Sequence, residues 1–469
     1  MKSIDVAILD NGVNQLYIKS KLHFEVDVYD NKINTHKDRK SKKVDFNHGS
    51  ICAQILEKYC LKARISSIKI LNNAGKGYIS SLHRAFEWCV CRNIRIINLS
   101  LGTENCHDRA EIRSIINHYA NKGLIIIAAS ANDEYCTYPA SFANVIGVCS
   151  GDGFSINKSA QLLKGIDFTA PSNHEVNMGG VSFRLGKSNS YAAPYVTAMV
   201  GNLIYEKGTM TLNEIRDSLS SEGSYFIYSP DWIETAWITS NYKKSRAKYY
   251  FSEDNRRLQD CFDDIDTIVI SNPEEAELYA GIGKHIVYIG LESIVRIDKK
   301  HHFWCKEMRI KQIMSAKERT AELDIPVIYC MFDNTADVVW CLCELKRLFV
   351  EDGYNAFVGY SSPESVLYDL EYLPQESIIQ EKTADFIYWQ TYYQQSDLVL
   401  TGDNEKVQEV PFVENPDLII DFDYKVCGYT VRIESDRGME SEKQYPDLET
   451  DSIKKIYADI ICCFEKENE

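Results

Sequence analysis

No apolar run in this chain approaches the roughly 20 residues that a helix needs to cross a bilayer, so no membrane-spanning segment is expected. Its 15 cysteines contain no C-x-x-C pair. Close neighbours such as Cys89/Cys91 and Cys341/Cys343 lie two apart and cannot share a helix face, so the spacing predicts no zinc site and no metal or other cofactor. The odd count cannot pair fully within one chain and follows no disulfide framework, which suits small buried thiols in a reducing compartment. The first residues, Met1-Lys2-Ser3-Ile4-Asp5-Val6-Ala7-Ile8-Leu9, enter an apolar strand pattern without a basic, apolar and small-residue leader. A cytoplasmic protein is therefore expected. Internal repeats and low-complexity tracts are also missing.

A net basic charge is absent too: the 469 residues carry a formal net charge of −16. The charge is uneven, about +5 over residues 1–225 and about −21 over the rest, which argues for two units. The acidic half would repel phosphates, so nucleic acid is not an expected partner. A hydrophobic share of 45% is ordinary for a globular protein, and the length has room for two or three domains.

What the chain does contain is three short segments in a telling order: Ile8-Leu9-Asp10-Asn11-Gly12, Asn47-His48-Gly49-Ser50 and Ser188-Asn189-Ser190-Tyr191-Ala192-Ala193-Pro194. A serine hydroxyl is a poor nucleophile at neutral pH. It needs an imidazole to take its proton and a carboxylate to fix the imidazole's tautomer. Asp10, His48 and Ser190 have the side chains for those roles. Each segment alone also reads as a turn or loop; the combination, in the order Asp, His, Ser, resembles the subtilisin-like serine peptidases, or subtilases.

The resemblance runs from about Ile4 to Leu219 and includes Ile96 to Gly102, Ser66 to Gly77, Ala128 to Asp133, Tyr138 to Ser141 and Asp167 to Pro171. It implies that Ser190 attacks a peptide carbonyl while His48 accepts its proton and Asp10 orients His48. Asn132 and the Ser190 N–H would stabilise the oxyanion. It also implies strand addition of an extended peptide between Ser100-Leu101-Gly102 and the loop Gly75-Lys76-Gly77-Tyr78. The pocket for the residue before the cut would be bounded by Ala128, Ser130 and neighbours, with Thr137 at its base. Asp133 and Glu134 are read in two ways: as a rim favouring basic or polar residues, or as a solvated turn. Ser190 is expected to open a helix over Tyr191 to Tyr205, with Pro194 in the tolerated first turn.

Departures from the family pattern accompany the likeness. Ser188 and Ala131 stand where the family usually has glycine, which predicts slow or narrow activity. Cys60-Leu61-Lys62-Ala63-Arg64 leaves little room for the family's calcium loop, so neither calcium dependence nor an N-terminal propeptide is expected.

In the acidic half, Thr267–Ile270, His285–Ile289, Val327–Cys330, Ala356–Gly359, Leu398–Leu400 and Leu418–Ile420 read as buried strands, with amphipathic helices such as 338–349 between them. The alternation predicts a largely parallel α/β sheet. The strand from Val327 leads through Phe332-Asp333-Asn334-Thr335-Ala336-Asp337 into a helix, but without glycines or a Lys-Ser/Thr pair and with two acids where an anion would sit. A scaffold or peptide-recognition role is expected there rather than nucleotide binding. The aromatic run Phe386 to Tyr393 is read as core or domain interface, with a peptide groove as the alternative. This half faintly resembles accessory proteins of clostridial peptide-maturation gene clusters, on the strand from Pro326 and its following loop and helix.

The resulting expectation is an α/β chain: a subtilisin-like parallel-sheet catalytic domain over 1–222, an aromatic-rich connector over 223–262 marked by Trp232, Trp237, Tyr249 and Tyr250, and an acidic, mostly parallel α/β accessory domain over 263–469. Its expected activity is that of an intracellular serine endopeptidase acting on a peptide or precursor peptide, in one form removing the leader of a ribosomally made precursor. General intracellular turnover and a catalytically silent peptide-binding homologue are the alternatives, and the oligomeric state stays open.

Overall fold

The computed structural model describes the chain except residues 1–2, 31, 37–46, 154, 221–227, 240–241, 243, 257–261, 296–298, 377–378, 405–414, 437 and 468–469. It falls into two compact units. One is Met1–Ile227 with Asp231–Glu234 and Asp298–His302; the other is Tyr228–Pro230, Thr235–Ile297 and Phe303–Glu469. The expected boundary at 222/223 lies outside the described residues.

The first unit is built on β1 (Ile4–Asp10), β2 (Phe24–Tyr29), β3 (Lys32–His36), β4 (Ala63–Lys69), β5 (Ile96–Leu99), β6 (Ile125–Ala129), β7 (Val145–Gly151), β8 (Asn157–Lys158) and β9 (Phe168–Pro171). They form one sheet in the order β3-β2-β4-β1-β5-β6-β7-β9-β8, parallel except for the antiparallel edge strands β3 and β8. The central strands are near-continuous apolar runs because both faces are covered: Val6 to Leu9 are fully buried. The covering helices are α1 (His48–Tyr59), α2 (Ile79–Cys91), α3 (Arg109–Asn121), α4 (Asn189–Lys207) and α5 (Leu212–Leu219), and a hairpin of β10 (Glu175–Met178) and β11 (Val181–Arg184) adds a small second sheet. On α1 and α4, Cys52, Ala53, Leu56, Ala192, Val196 and Val200 pack with Val6, Ile8 and Ile127 in one apolar core.

Two downstream segments return into this unit. Trp232 is fully buried, and its carbonyl accepts from Asn144 Nδ2 at 3.2 Å. Asn117 Nδ2 donates to the carbonyls of Asp231 (2.8 Å) and Ile233 (3.2 Å), and His302 Nε2 lies 2.9 Å from Asn144 Oδ1. Buried Asn117 and Asn144 are thus satisfied by residues more than 80 positions away, as buried polar groups must be by some partner. Arg216 of α5 and Asp167 form a fully buried ion pair at 3.1 Å, and Arg216 also donates to the carbonyls of Ala143 and Val145.

The second unit has β12 (Thr235–Ile238), β13 (Ser252–Glu253), β14 (Thr267–Ile270), β15 (His285–Tyr288) and β16 (Phe303–Trp304), with α6 (Pro273–Tyr279) and α7 (Lys306–Met314). These strands make an all-parallel sheet in the order β13-β12-β14-β15-β16. Then come β17 (Val327–Phe332), α8 (Val338–Glu351), β18 (Ala356–Tyr360), β19 (Glu371–Tyr372), α9 (Gln380–Gln394), β20 (Leu398–Asp403), β21 (Leu418–Lys425), β22 (Gly428–Ser435), β23 (Gly438–Tyr445) and α10 (Thr450–Glu467). Their sheet runs β19-β18-β20-β17-β21-β22-β23, parallel as far as β21 and antiparallel beyond it.

All six strands expected in this half are present, divided between two sheets rather than sharing one. The antiparallel meander was not foreseen, since β21 alternates buried and half-exposed residues and only its apolar start reads as a buried strand. The stretch read as a connector supplies β12 and β13 here and Asp231–Glu234 to the first unit. In α9, Phe386 and Ile387 are fully buried, while Trp389 stacks on Tyr393 at 5.6 Å.

Candidate active site

The site is assembled at the carboxyl ends of β1, β5 and β6, where chain leaving a parallel sheet is free to present side chains. Asp10 is the last residue of β1 and is 1% exposed. Its Oδ1 accepts from Asn11 N at 2.7 Å, and its Oδ2 lies 2.8 Å from His48 Nδ1. A carboxylate only accepts, so in the neutral imidazole the ring proton belongs on Nδ1 and Nε2 keeps its lone pair.

His48 is the first residue of α1, whose N-cap Asn47 accepts from Ser50 N at 3.1 Å. Gly49 donates to Asn11 Oδ1 at 3.1 Å, and a Cβ at Gly49 would collide with the Gly12 carbonyl. The His48 pKa is raised above its ordinary 6.5, first by its electrostatic interaction with the neighbouring Cys52 sulfur and then by the hydrogen bond to Asp10, with burial opposing both.

Ser190 is the second residue of α4, not the first, and Pro194 lies at the sixth position, beyond the first turn where it was expected. The reason this Pro is tolerated is local. Proline has no N–H for the carbonyl four residues back, which is that of Ser190 itself. Ser100 Oγ supplies the missing donor at 2.9 Å, and Cys52 Sγ approaches the same oxygen at 3.8 Å. Ser100 is in turn braced by Asn98 Nδ2 at 3.1 Å. The Ser190 hydroxyl makes no hydrogen bond to His48; such bonds often close only with substrate in place. The His48 ring stacks on Tyr191 with centroids 5.8 Å apart.

Asn132 is exposed beyond β6, and its Oδ1 accepts from Asn189 N at 3.0 Å and from Ser188 Oγ at 3.5 Å. That engages the oxygen and leaves the amide's NH₂ as the donor the side chain can still offer. Within the first turn of α4, Asn189 N–H goes to Asn132 and Tyr191 N–H to the Ser188 carbonyl at 3.1 Å, while the Ser190 N–H between them has no intrahelical acceptor. Two donors, one side-chain and one main-chain, are available to a developing anion.

The expected substrate residues are differently disposed. Ser100, Ser130 and Thr137 are buried and use their hydroxyls internally: Ser130 Oγ accepts from Asn189 Nδ2 at 3.0 Å and Thr137 Oγ1 from Ala131 N at 2.8 Å. Ala128 is wholly enclosed in β6. Leu101 is half-buried, and Gly102, Gly75, Lys76, Gly77 and Tyr78 are exposed. Gly102 passes so close to Thr137 and Tyr138 that a Cβ would overlap them, and Tyr78 OH lies 3.2 Å from Tyr29 OH. Asp133 is exposed, and Glu104, pushed up first by burial and then by the Asp133 charge, marks an acidic neighbourhood.

Cys52 escaped the sequence reading. Its Sγ is 3.9 Å from both His48 Nδ1 and Asp10 Oδ2. Its spacing of four from His48 on a helix would have placed it on the same face.

Residues 1–224 match the family described as the Subtilase family, Peptidase_S8. Subtilisin BL of Lederbergia lenta is 27% identical over 186 residues, 38% of this chain and 68% of that protein. An alkaline protease of Alkalihalobacillus alcalophilus is 27% identical over 186 residues, 38% of this chain and 48% of its own length. A crystal structure of a lanthipeptide protease aligns with 17% identity and a TM-score of 0.35, covering 43% of this chain and 73% of that one.

Proposed function

Taking residues 1–224 as a subtilase-family serine protease domain, we propose that the chain is a serine endopeptidase in which Ser190 is the nucleophile, His48 the general base and acid, and Asp10 the residue that orients His48. The observation that carries this reading is the 2.8 Å contact between His48 Nδ1 and a carboxylate that is almost wholly buried. Ser190 would attack the scissile carbonyl as Nε2 takes its proton, giving an acyl-enzyme; His48 would then protonate the leaving amine, and water would release the acid. The Asn132 amide and the Ser190 N–H would hold the oxyanion. An extended peptide would add as a strand between the exposed Gly75 to Tyr78 loop and Leu101-Gly102.

The finer form of the proposal is a dedicated processing protease inside the cell, one that removes the leader from a ribosomally made precursor. Its support is indirect: Ser188 and Ala131 at positions where the family pattern has glycine, a large acidic second unit, and a composition rich in thiols. No helix among the described residues is long and apolar enough to cross a membrane.

The test is labelling with a fluorophosphonate, compared between the unsubstituted chain, Ser190→Ala and His48→Ala. Labelling that needs both residues supports the peptidase; a folded chain that never labels refutes it. Cleavage of a peptide library then separates the finer reading, since many unrelated cut sites would mean turnover and not processing.

A further inference from the structure

We propose that Asp10, His48 and Cys52 form an inhibitory binding site for a thiophilic divalent cation of the zinc class. The inference rests on the peptidase reading for its consequence, though not for the site itself. The three donor atoms lie 2.8, 3.9 and 3.9 Å apart. A point about 2.1 Å from all three exists within that triangle, which matches zinc bonds to nitrogen and oxygen and is about 0.2 Å short of a zinc–sulfur bond, a gap that a small shift of the Cys52 side chain closes.

The donor set is one imidazole, one carboxylate and one thiol. Hard cations such as calcium or magnesium demand several oxygens and would gain little from the sulfur. A borderline-soft ion is matched by all three groups, and the carboxylate and thiolate together balance a double positive charge. Cys52 forms no disulfide, so its sulfur is available as a ligand. Of the three, His48 reaches solvent, with 31% of its side chain exposed, and provides the way in.

The chemistry of binding explains why it would inhibit. The Cys52 S–H proton leaves to solvent. The His48 ring proton moves from Nδ1 to Nε2 as Nδ1 takes the cation. Nε2 then carries hydrogen and cannot accept the Ser190 proton, so the base is lost without any movement of the serine.

Binding is measured by calorimetry with zinc chloride, and by cadmium–thiolate absorption, on Ser190→Ala and on Ser190→Ala combined with Cys52→Ala or Cys52→Ser. These chains need no turnover to report. The expected result is one equivalent bound by Ser190→Ala that is lost with Cys52→Ala and weakened at least about tenfold with Cys52→Ser. In parallel, zinc should suppress fluorophosphonate labelling of the unsubstituted chain, EDTA should restore it, and Cys52→Ala should keep labelling at about tenfold more zinc. Equal stoichiometry and affinity with and without Cys52 overturns the site. Equal zinc sensitivity of labelling in the unsubstituted chain and Cys52→Ala overturns its inhibitory role. A chain that binds one equivalent through Cys52 yet never labels upholds the site and refutes the peptidase.

Discussion

Both units lay parallel strands side by side and place polar residues at their carboxyl ends, yet those residues are used in opposite ways. In the first unit the ends of β1, β5 and β6 carry Asp10, Ser100 and the 130–132 segment, and the starts of α1 and α4 bring His48 and Ser190 to them. In the second unit the loop after β17 carries Asp333 and Asp337. Asp333 accepts from Thr335 N at 2.8 Å. Asp337 caps α8 through Trp340 N at 3.1 Å and accepts from Ser245 Oγ at 2.6 Å and Arg246 N at 2.8 Å. Those carboxylates are engaged in holding a loop and a helix start. A strand end therefore provides a place, and chemistry arises only where a base is delivered with one nitrogen still unspent.

The sharpest break of this contrast is substitution at the strand ends of each unit. Ser190→Ala or His48→Ala should lower peptide turnover by at least about 10⁴-fold in steady-state assays. Asp337→Ala should leave that turnover in place and reduce only the stability of the loop before α8. If Asp337→Ala abolished turnover, the division of labour would fail.

Next in size is the return of downstream chain into the first unit. Trp232→Ala removes a fully buried ring and should cost about 3–5 kcal/mol in denaturant unfolding of that unit. A chain cut at residue 224 should fold poorly for the same reason; a stable, labelling-competent truncated chain would show that segments 231–234 and 298–302 are dispensable. Asn132→Ala should then reduce kcat by about 100-fold to 1,000-fold with a smaller change in KM, as loss of one oxyanion donor does.

The pH profile follows from the environment of His48. It acts as a base only when neutral, and its raised pKa keeps it protonated to higher pH than an ordinary imidazole. kcat/KM should therefore rise through a midpoint above 6.5 and fall about tenfold per unit below it. Cys52→Ala should move the midpoint down, because the interaction with that sulfur is the leading cause of the shift; an unmoved midpoint would contradict the assignment. The smallest effect belongs to the exposed rim. Asp133→Asn should weaken any preference for a basic residue before the cut by only a few-fold, as screened surface charges allow, measured as kcat/KM for paired lysine and neutral substrates.

Much of this architecture is legible from local pattern. Short apolar runs such as Thr267–Ile270 and Val327–Cys330 form strands where they were expected, and 338–349 forms α8 with Val338, Cys341, Leu342, Leu345 and Phe349 buried on one face. Asp10 and His48 are adjacent in space as the resemblance implied. Cys52 was legible in principle, by helical spacing from His48, but its hydrophobic surroundings in α1 make it read as core. The partner of the Ser190 carbonyl was not legible at all. Pro194 announces that a donor is missing, and nothing in the neighbouring residues says that Ser100 replaces it.

By itself the sequence determined which residues are chemically able to form a nucleophile, a base and an orienting acid, and where strands and helices begin, because propensity, capping and apolar period act over a few residues. Only the tertiary structure decided that strands of the acidic half divide between two sheets, that Trp232 and His302 belong with Asn117 and Asn144, and that Cys52 stands beside the Asp10–His48 pair. Those outcomes depend on burial and on hydrogen bonds between residues tens to more than a hundred positions apart, whose partners are selected by the packing of the whole unit.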